Sequence, residues 1–318
     1  MERIAILTSG GDSQGMNAYL YKITNLLIEN NFEPIGIVNG YNGIFEENFI
    51  NLSKALVENI SFLGGSFLKT ARSTRFATKE GVETASKILK SHNILTLIVN
   101  GGNGSFKGAL ELSKHGINVI CIPGTIDNDL FYSDISLGFD TAVNNAVEVI
   151  DKIKQTMQTN NRGLVVEVMG RHCGNIALNS AVSVNANALV INEDENSKNT
   201  IFEKVEKAIK NGNESPVVVL QENILDGDTL TIELSKRFNK TFKFEKIGYV
   251  QRGGSPTIKD RIFANLLAFK TLELLKSKTY NQAIGMNKEN VVSMPLSEAL
   301  NIDNNFNSNL YNLYLQSL

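Results

Sequence analysis

Short, nearly continuous runs of Val, Ile and Leu alternate along the chain with longer segments of helical period. Arg3–Leu7, Pro34–Val38, Leu95–Asn100, Val119–Ile122, Leu164–Val168, Ala188–Ile191 and Val217–Leu220 predict strands. Apolar on both faces, they match the pattern of a parallel sheet covered on both sides. Met16–Glu29, Lys79–Ser91, Ser105–His115, Thr141–Gln158, Thr200–Lys210 and Thr229–Phe238 carry helical spacing. In Thr141–Gln158, Ala142, Ala146, Val149, Ile150 and Ile153 fall on one stripe, with Asp140 as the expected N-cap. The alternation predicts an α/β protein with mainly parallel sheets. Further on, the pattern predicts a long helix over Thr257–Leu275 and short strands at Ala283–Met286 and Val291–Met294. A C-terminal helix is expected to dock through Leu310, Leu313 and Leu315. No Pro/Gly/Ser-rich linker divides the chain, so two lobes would be joined by short connections, the helix from Asp140 making the first crossing.

Composition narrows the class. The 318 residues are 42% hydrophobic and 20% charged with a formal net charge of -2, which excludes a disordered chain, a collagen-like repeat and a strongly basic nucleic-acid binder. Cys121 and Cys173 are too few for a disulfide scaffold and lack metal-site spacing. The start MERIAILTSGGD does not read as a signal peptide, and no window approaches eighteen uninterrupted apolar residues. The expectation is a soluble cytoplasmic protein that binds neither nucleic acid nor membrane.

Four clusters stand just beyond predicted strands, where ligands sit in open α/β sheets. Thr8–Asn17 places three glycines between the first strand and the first helix, and Asn100–Ser105 repeats the arrangement. Either turn suits the close approach of a phosphate to backbone N–H groups, or a tight structural turn. In Pro123–Asp129, Asp127 and Asp129 suit a general base and a cation partner, or an Asx-type turn. In Met169–Gly174, Arg171 suits a phosphate oxygen pair, while His172 reads as a structural histidine.

Together these clusters resemble the ATP-dependent 6-phosphofructokinase family. The motifs are LTSGGDSQGMN (Leu7–Asn17), GGNGS (Gly101–Ser105), PGTIDND (Pro123–Asp129), EVMGRHCG (Glu167–Gly174) and QRGGSP (Gln251–Pro256), in the family's order. The resemblance implies two Rossmann-like three-layer lobes. Residues 1–138 plus 251–301 would bind nucleotide, and 139–250 plus 302–318 the sugar phosphate. It also implies transfer of the ATP γ-phosphoryl group, with Mg2+, to the 1-hydroxyl of fructose 6-phosphate in a homotetramer. By the same resemblance Asp127 is the base, flanked by Thr125 and Asp129, with Gly11, Arg72 and Arg171 meeting the transferring phosphoryl group. Tyr41, Gly102, Gly104, Ser105 and Gly108 line the nucleotide pocket. Met169, Gly170, Glu222 and Arg252 hold the sugar, and Arg162 reaches the 6-phosphate from a neighbouring subunit. Pyrophosphate-dependent relatives carry larger side chains at the positions of Gly104 and Gly124, so these glycines favour ATP.

Several positions depart from the family pattern. Asn103 stands where the family has a magnesium-serving aspartate, leaving Asp129 as the charged metal residue. One unit-charge pair at about 4 Å is worth roughly 4 kcal/mol at an effective dielectric near 20, so a large loss of activity is expected. Lys243 replaces a second cross-subunit arginine and Tyr249 a histidine near the sugar phosphate. The family's effector positions read Tyr21, Asn25, Lys54, Lys154, Asn187, Asn211 and Asn213, retaining two cations, so weak or no binding of phosphoenolpyruvate or nucleoside diphosphate is expected. These departures leave two alternatives beside the kinase: an impaired paralogue in a hetero-oligomer with an active enzyme, and a kinase for another sugar phosphate such as tagatose 6-phosphate.

Overall fold

The computed structural model describes residues 1–302 and 306–318. Contacts divide the chain into two compact units, Met1–Asp140 with Arg252–Asn305, and Thr141–Gln251 with Phe306–Leu318. Of the segment 302–318 expected in the second lobe, 303–305 lie outside the described residues. No helix among the described residues is long and apolar enough to cross a membrane.

Among the described residues, unit 1 is built on seven strands: β1 (Glu2–Ser9), β2 (Phe32–Ile37), β3 (Phe49–Asn51), β4 (Ile94–Gly101), β5 (Asn118–Pro123), β10 (Gln282–Asn287) and β11 (Asn290–Pro295). Their order is β11-β10-β5-β4-β1-β2-β3, parallel except for the antiparallel outer pairs β10/β11 and β2/β3. Side chains alternate across the sheet. Ile4, Ile6, Ile98, Ile120 and Ile122 face one core with α1 (Met16–Glu29) and α10 (Ile258–Lys276). Ala5, Leu7, Leu97, Val99, Val119 and Cys121 face the other, with α4 (Lys79–Ser91) and α5 (Asn103–Lys114). Two covered faces explain why these strands read as unbroken apolar runs. Short helices α2 (Asn42–Phe45), α3 (Lys54–Val57) and α11 (Leu296–Ala299) complete the unit.

Unit 2 carries β6 (Gly163–Val168), β7 (Ala188–Val190), β8 (Val217–Gln221) and β9 (Phe242–Lys246), all parallel in the order β7-β8-β6-β9. Val165, Val218 and Leu220 pack with Ile201 and Val205 of α8 (Ser197–Lys210) and with Leu230 and Leu234 of α9 (Gly227–Phe238). Helix α7 (Asn175–Ser183) is buried along most of its length and touches α12 (Ser308–Ser317).

Two local expectations change. Helix α6 (Phe139–Thr159) starts before Asp140, which therefore lies in its first turn rather than capping it. The Asp140 carboxylate instead accepts a hydrogen bond from Thr257 Oγ1 at 2.7 Å and faces Lys259 Nζ at 3.5 Å. In α12 the docked residues are Tyr311 and Tyr314, while Leu313 is 62% exposed. Each tyrosine combines an apolar ring with a hydroxyl that finds a partner, Tyr311 on the Asp194 carboxylate and Tyr314 on the Ala186 carbonyl at 3.1 Å.

Candidate active site

In unit 1 the chain leaves β1 for β2 on one side, then returns to β4 on the other. That reversal opens a crevice at the carboxyl ends of β1 and β4, the usual ligand position in such sheets. The first motif follows β1. A side chain at Gly11 would sit 2.8 Å from a guanidinium nitrogen of Arg252, so glycine leaves that arginine its place. Arg252 forms an ion pair with Asp12, and Gln14 Nε2 donates to the Gly253 carbonyl at 2.8 Å.

The second motif follows β4 and opens α5 at Asn103, which is half-buried. Gly102 lies against Thr125, and Ser105 is buried beside Gly10 and Gly101. Tyr41 donates its hydroxyl hydrogen to the Ser105 carbonyl at 2.6 Å and stacks on Phe76 at 3.9 Å between ring centres. Burial pushes the Tyr41 phenol well above its ordinary pKa, so it stays a neutral donor. Gly108 lies under this aromatic pair, whereas the side-chain position of Gly104 opens to empty space. Arg72 is exposed, and its carbonyl accepts from Asn42 Nδ2 at 3.2 Å.

The third motif follows β5, tied to the second by the Gly124 amide donating to the Gly101 carbonyl at 3.1 Å. Thr125 Oγ1 accepts the Asp127 amide at 3.2 Å, and the Thr125 carbonyl accepts from Ser136 Oγ at 2.6 Å. Asn128, at φ 52°, accepts the Ser136 amide at 2.7 Å. The polar turn and the chemical reading thus coincide: local hydrogen bonds hold a loop whose Asp127 is only 7% exposed. Asp129 is half-buried in the same loop.

In unit 2 the corresponding reversal lies between β6 and β9. Past β6, the amides of Gly170 and Arg171 both donate to Glu222 Oε1, at 3.1 and 2.8 Å. Met169 N donates to Gln251 Oε1 at 3.2 Å, and Gln221 Nε2 to the Arg171 carbonyl at 2.9 Å. Arg171 takes a left-handed conformation at φ 53°, an uncommon state for a residue with a side chain, and is exposed. His172 is exposed too. Arg162 is half-buried in the turn after α6, and Lys243 and Tyr249 are exposed on and just after β9. Of the residues assigned to the sugar, Thr125, Asp127 and Arg252 therefore fall in unit 1 and the others in unit 2.

Four of the effector positions line a cavity of about 670 Å³ in unit 2: Lys154, Asn187, Asn211 and Asn213. Lys154 Nζ donates to the Val184 carbonyl at 2.7 Å. Asn187 Oδ1 accepts from Asn213 Nδ2 at 3.1 Å and from the Val217 amide at 2.9 Å, so these amides hold one another and the backbone. In unit 1, Lys54 pairs with Glu29 at 2.6 Å, and Asn25 Nδ2 donates to the Tyr21 carbonyl at 2.8 Å.

Sequence reading assigned nothing to Asp12, although it stands in the first motif beside Gly11. It placed Asn100 in the second cluster without a role of its own; the residue is fully buried against Gly124, and neither amide atom of its side chain has a hydrogen-bond partner among the described residues. The only signal for Asn100 is a polar residue ending an apolar strand.

Fold and loops define a doubly wound α/β protein whose glycine-rich and acidic turns gather at strand carboxyl ends. It belongs to the phosphofructokinase family, whose model matches residues 3–275. An ATP-dependent 6-phosphofructokinase from Clostridium botulinum is 38% identical over 98% of both chains. The phosphofructokinase structure from Saccharomyces cerevisiae superposes with a TM-score of 0.87 at 26% identity, covering 100% of this chain and 48% of the yeast chain. The chain thus spans about half the length of that relative. A pyrophosphate-dependent phosphofructokinase from Marinobacter aquaeolei shares the fold, with a TM-score of 0.83 at 20% identity over 95% of this chain and 84% of that one.

Proposed function

We propose that the protein transfers the γ-phosphoryl group of ATP to the 1-hydroxyl of fructose 6-phosphate, yielding fructose 1,6-bisphosphate and ADP. The observation that carries this reading is the buried Asp127, in a hydrogen-bonded turn beside the glycine loop that opens α5. Asp127 takes the proton as the 1-oxygen bonds to the γ-phosphorus and the bond to the bridging oxygen breaks. Thr125 and Asp129 flank it. The Gly11 loop, Arg72 and Arg171 meet the phosphoryl charge, where positioning and electrostatics do most of the catalysis. Met169, Gly170, Glu222 and Arg252 hold the sugar, and Arg162, Lys243 and Tyr249 serve the 6-phosphate, the first two across a subunit boundary of a homotetramer.

Tyr41, Gly102, Gly104, Ser105 and Gly108 hold the nucleotide. A side chain at Gly124 would overlap Asn100 Oδ1, and at Gly104 the space is open. The first is closed to the bulk that pyrophosphate-dependent relatives carry there, and the second is free for nucleotide phosphates. Both support ATP as donor. Among the described residues no cluster of three or more His, Cys, Asp or Glu could cage an ion alone. The Asp129 carboxylate and the Asn103 amide oxygen are hard donors that fit Mg2+ held largely by nucleotide phosphates. When bound, the ion would neutralise phosphate charge, with one protein charge fewer than an aspartate at 103 would supply.

The test is fructose 1,6-bisphosphate formation by the purified chain from ATP, Mg2+ and fructose 6-phosphate, with Asp127→Ser as blank and Asn103→Asp alongside. Turnover in the unmodified chain that disappears in Asp127→Ser is expected. No turnover above the blank, with activity appearing in Asn103→Asp, would favour the impaired-paralogue reading that Asn103 motivates.

A further inference from the structure

The carboxyl end of the four-stranded sheet holds a lysine that the proposed chemistry leaves unused. Glu167 lies near the end of β6, two residues before the loop that begins at Met169, and its side chain is 8% exposed. Its register partner on β9 is Lys246, whose Nζ lies 2.6 Å from Glu167 Oε1. Past β8, the Glu222 carboxylate holds the amides of Gly170 and Arg171. The hydrogen bond and charge of Glu167, and then the charge of Glu222, raise the Lys246 pKa and keep its ammonium protonated. The strand order β8-β6-β9 gathers all three groups at the reversal point of the sheet. Alternation along β9 puts Lys243 on the opposite face from Lys246, so Lys243 cannot take over this pairing.

We propose that Lys246 is a specificity-determining residue of the sugar-phosphate site, cancelling the Glu167 charge and screening Glu222 so that a phosphorylated sugar is accepted beside the Met169–Arg171 loop. Two carboxylates without a counter-charge would repel a phosphomonoester while leaving a neutral sugar unaffected. With the ammonium in place, Glu222 keeps its grip on the two loop amides and the local field no longer opposes the phosphate. The inference rests on the reading of unit 2 as the sugar-phosphate side.

The experiment compares the unmodified chain with Lys246→Met, Glu167→Gln and the double variant. Initial rates are measured against fructose 6-phosphate and ATP at low and high salt, and binding of fructose 6-phosphate and fructose by calorimetry. For Lys246→Met, KM for fructose 6-phosphate should rise about five- to tenfold, the factor that about 1–1.4 kcal/mol represents. The kcat and the KM for ATP should stay within about twofold, and the defect should shrink at high salt. Adding Glu167→Gln should restore most of the lost affinity, and the loss should touch fructose 6-phosphate but not fructose, whereas a merely structural ion pair would change the binding of both alike. An unchanged KM with only a lower melting temperature would overturn the proposal. So would a double variant as impaired as Lys246→Met, because Lys246 would then act by direct grip. If the unmodified chain binds fructose 6-phosphate without turning it over, the kinase reading fails and the same comparison is read from Kd. If it does not bind fructose 6-phosphate, both readings fall together.

Discussion

The contact between Gly124 and Asn100 makes a prediction that can be worked from the structure. A methyl group added at position 124 would overlap Asn100 Oδ1 outright and stand 3.0 Å from Met16 Cε and 3.1 Å from Asn100 Cγ, inside the 3.4–4 Å of ordinary contact. Asn100 is 0% exposed, as is Met16, so the carboxamide has no solvent to retreat into. Overpacking of this kind costs about 1–3 kcal/mol. Gly124→Ala should therefore lower the melting temperature of unit 1 by about 2–12 °C, at roughly 2–4 °C per kcal/mol for a unit of this size. Asn100→Ala alone removes packing atoms but also a buried amide without hydrogen-bond partners among the described residues, so it should change stability by less than about 1 kcal/mol. In the Asn100→Ala background the methyl at 124 meets chiefly the flexible end of Met16, and most of its cost should disappear. Scanning calorimetry of the two single variants and the double variant completes the cycle, with an expected coupling of about 1–2 kcal/mol. Additive effects would refute the claim that Asn100 fills the space above Gly124. A Gly124→Ala variant as stable as the unmodified chain would do so as well.

Three further outcomes are expected. Tyr41→Phe removes the donor to the Ser105 carbonyl, at about 0.5–1.5 kcal/mol, and should raise KM for ATP several-fold with kcat little changed; steady-state kinetics decide. Asn103→Asp restores a negative charge near the nucleotide phosphates and should lower the Mg2+ concentration for half-maximal activity about tenfold, equivalent to about 1.4 kcal/mol; a Mg2+ titration that does not move would refute the metal role of this position. Millimolar phosphoenolpyruvate should leave both activity and melting temperature unchanged, because Asn187 and Asn213 are held by each other and by backbone groups. A dose-dependent rise in melting temperature would show that the cavity still binds the anion.

Strands with both faces covered are the most legible part of this fold. β4 and β5 read as apolar runs because Ile98 and Ile120 face one core while Val99 and Cys121 face the other. β9 escaped because Lys243, Glu245 and Lys246 give it the pattern of an exposed segment, though Phe242 anchors it in the core of unit 2. β3 has three residues on the sheet edge, too few to show a period. At the candidate site the glycine and acidic turns were legible because their residue types are restricted by the backbone and by charge. Partners set by tertiary approach were not: Asp12 meets Arg252 across 240 positions, and Glu167 meets Lys246 across 79. The docking of α12 differs from the leucine-based expectation for the same reason, since only the fold shows that Tyr311 and Tyr314 have hydroxyl partners within reach.

The division of the chain also sets an order on synthesis. The ribosome makes β1 to β5 first, then the 111 residues of Thr141–Gln251, and only afterwards α10, β10 and β11, which belong with the earlier strands. At about 5–20 residues per second, that delay is roughly 6–22 s. Throughout it β5 is an unpaired apolar edge, and the face of α1 that meets α10 stays open. The nascent chain must therefore hold a partly built sheet in reserve while the intervening unit emerges. A ribosome stalled before Ile258 should expose an aggregation-prone intermediate, which the released chain should no longer show.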